Sequence, residues 1–134
     1  MLAKRYRLID GGDYIATIRR GRRVNSALAV VYQQVSPQSV VPRYGFVVSR
    51  AVGNAVVRNS LRRRLKSIAH DDLARRIRDE PTPVSVDIVI RALPAMAQAD
   101  WVSLKSDISG LLLTVESLGA RGTVRARARE MTSR

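Results

Sequence analysis

Large apolar residues recur along the chain in rhythms that change with position. Tyr14, Ile15 and Ile18 keep helical spacing behind Asp10-Gly11-Gly12-Asp13, which supplies N-capping side chains. The run stops at Gly21, a residue suited to a helix C-terminus, so a short first helix is predicted. Ala27 to Gln34 and Tyr44 to Ser49 are dense in Val, Tyr and Phe. Separated by Ser36-Pro37-Gln38-Ser39 and Pro42, they predict two neighbouring strands. A third strand is predicted from about Val84 to Arg91, after the breaker Pro81-Thr82-Pro83. A long helix fills the interval between the second and third strands. Near the end, Trp101, Leu104, Ile108, Leu111, Val115 and Leu118 step by three and four, predicting a helix that turns this stripe, Trp101 included, to the core.

The order helix, strands, helix, strand, helix describes a small α+β domain, a central sheet packed by helices. Its length of 134 residues and hydrophobic share of 46% suffice for one core. The domain is expected to span residues 1–118. From Gly119 to Arg134, Arg121, Arg125, Arg127 and Arg129 are spread among small and polar residues, a basic tail expected to be disordered when free.

Charge narrows the class of partner. The formal net charge is +13, which calls for a polyanion, and no Asp or Glu occurs between Asp13 and Asp71 while eleven Lys or Arg do. Such segregation builds one strongly positive surface. With aromatics at 4%, a membrane-surface helix is disfavoured against nucleic acid. The chain has no cysteine, which excludes disulfides, Cys-ligated zinc and thiol nucleophiles. The N-terminus opens without an apolar signal core, and no apolar run approaches the ~20 residues of a membrane span. A cytoplasmic location is expected.

The long helix concentrates the charge. At ~100° per residue, Val57, Leu61, Leu65 and Ile68 gather within about 80° and predict a core stripe. Arg58, Asn59, Arg62, Arg63 and Lys66 fall together on the adjoining face. Arg58, Arg62 and Lys66 stand one turn apart and repel by a few tenths of a kcal/mol per pair unless an anion relieves them. Arginine forks bind phosphate bidentately and stack on bases, which suits folded RNA. In Val52-Gly53-Asn54, the glycine permits a tight turn and Asn54 suits the N-cap of this helix.

A basic amphipathic helix by itself is shared by many proteins; the residue order is sharper. Arg50, Val52-Gly53-Asn54-Ala55-Val56 and Arg58-Asn59, followed by Arg62-Arg63-Arg64-Leu65-Lys66, resemble the signature of the bacterial ribonuclease P protein family. Lys4-Arg5-Tyr6-Arg7-Leu8 with Asp13-Tyr14 resembles that family's entry into its first helix. Ala29-Val30-Val31-Tyr32, Arg43 to Ser49 and Asp87 to Ala95 resemble its strand segments in order and spacing, so the likeness covers roughly residues 4 to 118.

The resemblance implies a function as well as a fold. In that family a large RNA is the catalyst, and the protein helps it and Mg²⁺, held mainly by RNA, to hydrolyse one phosphodiester bond and remove the 5′ leader of precursor tRNA. Arg50, Asn54, Arg58, Asn59, Arg62, Arg63 and Lys66 would then face the catalytic RNA. A cleft between the first helix and the sheet, lined by Tyr14, Ile18, Arg20 and Tyr32, would grip the leader. A left-handed βαβ crossover through the central helix is implied too, against the usual right-handed preference. Ser60 stands where the motif usually repeats an Arg, implying one missing RNA contact. Ile18 replaces a usual aromatic, which leaves Tyr14 and Tyr32 as the stacking residues of the cleft.

The residues themselves offer little independent chemistry. The one histidine, His70, precedes Asp71 and Asp72, a trio read as solvated helix surface rather than a metal or base site. No phosphate-binding glycine loop is present. The expected partners are the catalytic RNA and precursor tRNA, with no membrane and no obligate protein partner. A structural RNA-binding module would show the same charge, and a DNA-binding regulator ranks third for want of helix-turn-helix spacing.

Overall fold

A computed structural model describes residues 2–36 and 39–120, the last two as backbone only. Its elements run α1 (Gly11–Arg20), β1 (Arg22–Asn25), β2 (Ala29–Val35), β3 (Arg43–Val47), α2 (Ala55–Asp79), β4 (Val86–Ala92) and α3 (Trp101–Val115), with a π turn over Glu116–Ala120. The α+β class and the order of helices match the sequence-based expectation. The first strand does not. Arg22-Arg23-Val24-Asn25 has one apolar residue, and it becomes a strand by pairing its backbone antiparallel with β2, Arg23 opposite Tyr32.

The sheet order is β1-β2-β4-β3. Strands β2 and β3, consecutive in the chain, therefore do not pair; β4 inserts between them, antiparallel to β2 and parallel to β3. Because β3 and β4 are parallel neighbours joined through α2, a βαβ unit is present; its left hand stays an implication of the family resemblance. β3 is an edge strand, and residues near the N-terminus partly cover it, with the Leu8 N–H donating to the Tyr44 carbonyl at 2.8 Å. That coverage blunts an otherwise open row of backbone groups.

Strand alternation divides the sheet into two apolar faces. On one, Val31, Tyr44, Ile88 and Ile90 pack against α2 and α3 through Leu61, Leu65, Ile68, Leu104, Ile108 and Leu112. On the other, Leu8, Val30, Tyr32 and Val89 form a smaller cluster under Tyr14 and Ile18 of α1. Two ion pairs hold α1 down at one end. Arg43 reaches the fully buried Asp87 of β4 at 2.9 Å and Asp13 of α1 at 3.3 Å, and the Asp87 hydrogen bond raises the guanidinium pKa further.

Both long helices differ in detail from their predicted stripes. In α2, Val57 is only half-buried, and the buried face continues through Ala69, Asp72, Leu73 and Arg76. Asp72, expected on the surface with His70 and Asp71, is instead the hub of a polar network. It accepts from Tyr44 Oη (2.6 Å), Arg76 Nε (2.8 Å) and Arg75 Nη2 (2.8 Å). Arg76 also donates to Gln33 Oε1 at 3.1 Å, and Gln33 Nε2 donates to the Val115 carbonyl at 3.1 Å, so α2, β2 and α3 are tied together. In α3 the buried residues are Leu104, Ile108, Leu112 and Val115; Leu111 is half-buried, and Trp101 and Leu118 are exposed. Val115, the last residue of α3, is still fully buried; the stripe leaves the core at Trp101, the first residue of the helix, and at Leu118, which lies beyond it in the π turn. The basic tail lies, from residue 121, outside the described residues.

Candidate RNA-binding surfaces

The loop from β3 into α2 sets up the basic face. Asn54 caps the helix by accepting the Val57 N–H at 3.0 Å. A Cβ at Gly53 would lie 2.9 Å from a Val57 methyl carbon, so glycine lets the loop close against the first turn. Of the seven residues that the resemblance assigns to this face, Arg50, Asn54, Asn59 and Arg63 are exposed, and Arg58, Arg62 and Lys66 half-buried.

They divide into two groups by what they already touch. Arg58 Nε donates to the Gly53 carbonyl at 3.2 Å. Arg62 donates to Asn59 Oδ1 at 3.0 Å and to the Val48 carbonyl at 3.3 Å. These two arginines brace the entrance loop while their remaining N–H groups stay available. Arg50, Arg63 and Lys66 have no hydrogen bond or ion pair among the described residues, so their charge is uncommitted. No carboxylate lies in this helix before Asp71, and nothing on it offsets the repulsion among Arg58, Arg62 and Lys66.

The leader-cleft residues are brought together only in part. Tyr14 and Ile18 both lean on the second sheet cluster, with Tyr32 beneath them. The far end of the Tyr14 ring packs against Gly45, where a Cβ would sit 2.6 Å from its Cζ, and its Oη accepts the Phe46 N–H at 3.3 Å. Tyr32 is 4% exposed, and its hydroxyl accepts from Arg91 at 3.3 Å, which makes it a wall of the cleft rather than a free stacking platform. Arg20 does not join them. Two residues beyond Ile18, it stands about 200° around α1 and is exposed.

Other residues, unassigned in the sequence, complete the surfaces. Arg91, whose guanidinium meets Tyr32, is the one exposed residue of an otherwise buried β4. Its position as a cation interrupting a strongly apolar strand is the signal that marks it. Phe46 is half-buried at the edge of β3. There a depression of about 290 Å³ is lined by Leu8, Tyr14 and Phe46 on one side and Arg62 and Lys66 on the other. The aromatic edge of the sheet and the basic helix thus form one continuous surface.

Comparison with known proteins agrees with this architecture. A family model for ribonuclease P matches residues 2–116. The chain belongs to the ribonuclease P protein family. It is 45% identical over 113 residues to the ribonuclease P protein component of Acidothermus cellulolyticus, covering 84% of this chain and 89% of that one. To the component of Clavibacter michiganensis subsp. michiganensis it is 40% identical over 109 residues, 81% of this chain and 91% of the other. The fold matches a mutant RNase P protein of Staphylococcus aureus with a TM-score of 0.75 at 22% identity, covering 84% of this chain and 90% of that one. The Thermotoga maritima RNase P protein matches with a TM-score of 0.61 at 23% identity, covering 79% and 94%. Among the described residues, no group of three His, Cys, Asp or Glu is placed to hold a metal ion, and no helix is long and apolar enough to cross a membrane.

Proposed function

We propose that the chain is the protein subunit of ribonuclease P, a cytoplasmic ribonucleoprotein that removes the 5′ leader of precursor tRNA. The observation that carries this reading is the continuity at the β3 edge, where Tyr14 and Phe46 meet Arg62 and Lys66. A folded RNA backbone needs fixed cations, and an unpaired leader needs apolar and aromatic surface beside cations. One surface here offers both.

The division of labour follows from the side chains. Arg50, Asn54, Arg58, Asn59, Arg62, Arg63 and Lys66 engage the catalytic RNA, with Arg58 and Arg62 held in place by their own loop contacts. Tyr14, Ile18 and Tyr32, extended by Phe46 and Arg91, receive the leader. Placing cations between two polyanions lowers their mutual repulsion, which brings substrate and catalyst together. The Mg²⁺ that serves the hydrolysis would be held mainly by RNA, as the family resemblance implies.

Purified protein, the organism's ribonuclease P RNA and a 5′-labelled precursor tRNA test this at low, near-physiological Mg²⁺. Release of the leader should depend on the protein and be absent with protein alone. Tight RNA binding without any stimulation of cleavage would move the assignment to a structural RNA-binding module.

A further inference from the structure

The flank of α2 that faces α3 carries a second arrangement. Ser60, Arg63, Arg64 and Ser67 stand at steps of three and four and, with Trp101 at the first position of α3, surround a cavity of about 410 Å³. Trp101 is 37% exposed although Leu104, one turn on, is fully buried. Ser60 and Ser67 are too short to fill the space beside the indole. Neither Arg63 nor Arg64 has a hydrogen bond or ion pair among the described residues. The nearby acids are engaged: Asp100 accepts the Ser103 N–H at 2.8 Å and hydroxyl at 3.0 Å, and Asp71 lies 3.9 Å from Lys105 Nζ. Lys105 Nζ stands over the indole, 5.9 Å from its centroid, a third cation near the ring.

We propose that this notch binds one unpaired RNA nucleotide, its base stacked on Trp101 and its phosphate held by Arg63 and Arg64. The proposal rests on the reading that α2 binds RNA. An indole face accepts any base, and two uncommitted guanidinium groups beside it supply bidentate phosphate contacts. Arg63 belongs to both the basic face and the notch, so an RNA strand crossing the helix reaches Trp101 without leaving the positive surface. On this view Ser60 is not merely a missing arginine, because its small side chain opens the notch.

Trp101 is the protein's one tryptophan, so its emission reports this site alone. The full chain is titrated separately with an oligoadenylate of about eight nucleotides, with ribonuclease P RNA and with leader-bearing precursor tRNA, each end-labelled for anisotropy. At least one RNA should quench Trp101 in step with its anisotropy, and the one that does identifies the source of the nucleotide. For that RNA, Trp101→Ala and Ser67→Glu should each weaken binding about tenfold, while Trp101→Phe keeps most of the affinity. Ser67→Glu sits at an exposed helical position and retains the indole, so its loss of affinity does not depend on how Trp101→Ala folds. Binding by anisotropy with unchanged emission, and with wild-type affinity in Ser67→Glu, overturns the notch and leaves the RNA-binding reading standing. Absence of any binding overturns both.

Discussion

The Tyr44 hydroxyl donates to Asp72 Oδ2 at 2.6 Å, with both side chains buried between the sheet and α2. Burial, followed by the negative charge of Asp72, raises the phenol pKa well above its ordinary value. Tyr44→Phe should cost about 1–3 kcal/mol in urea denaturation, since Asp72 keeps its two arginine partners. The raised folded-state pKa means that the Tyr44 contribution is complete below the unfolded value of about 10 and is lost as pH climbs above it. The stability gap between wild type and Tyr44→Phe should therefore narrow above about pH 10. A gap that stays constant or widens there would contradict the linkage.

Removing Arg43 strands Asp87, which is fully buried and holds its guanidinium through two hydrogen bonds of 2.9 Å each. Arg43→Ala should lower stability by about 3 kcal/mol, because a charge is left buried without its counter-ion. Asp13→Ala removes only the longer, 3.3 Å arm of the same cluster and should cost about 1 kcal/mol or less. Equal losses in the two variants, measured by chemical denaturation, would refute this ranking.

Gly45 and Tyr14 make a pair that couples stability to the proposed leader site. A methyl at Gly45 would meet the far end of the Tyr14 ring, so the ring must swing aside while the backbone holds. Gly45→Ala should cost about 1–3 kcal/mol, but little or nothing further in a Tyr14→Ala background. It should also weaken binding of leader-bearing tRNA more than that of mature tRNA. Strict additivity of the two substitutions would show that the contact does not matter.

The basic helix should make RNA binding steeply dependent on salt. Neutralising roughly five phosphates gives a slope of log affinity against log salt near −3 to −4. Arg63→Ala and Lys66→Ala should each flatten that slope by about 0.7 without lowering thermal stability, because neither side chain has a protein partner among the described residues and losing Lys66 relieves its repulsion from Arg62. Arg62→Ala should lower both affinity and stability, since it also donates to Asn59 and Val48. A flat salt response would remove the charged face as the main contact.

Much of the candidate site is legible in the sequence because its signals are local. The Asn54 cap, the core positions Leu61, Leu65 and Ile68 and the basic residues beside them follow from helical geometry alone. The leader cleft was only half legible. Tyr14, Ile18 and Tyr32 come together as expected, but Arg20 misses the cluster, and Phe46 and Arg91 enter through strand pairing that short-range patterns do not encode. The regular stripe places Trp101 in the core; in the structure it is the first residue of α3 and borders the notch beside Arg63 and Arg64.

The sequence by itself determined the helices, three of the four strands, the polyanionic partner and the family, since each depends on residue type at short spacing or on motif order. Tertiary structure alone decided that β4 inserts between β2 and β3, that β1 exists, and that Asp72 is a buried hub rather than surface. It also decided that Trp101 stands beside Arg63 and Arg64. Apart from the short β1–β2 hairpin, these relations join residues tens of positions apart, and the backbone pairing and burial that create them leave no periodic trace along the chain.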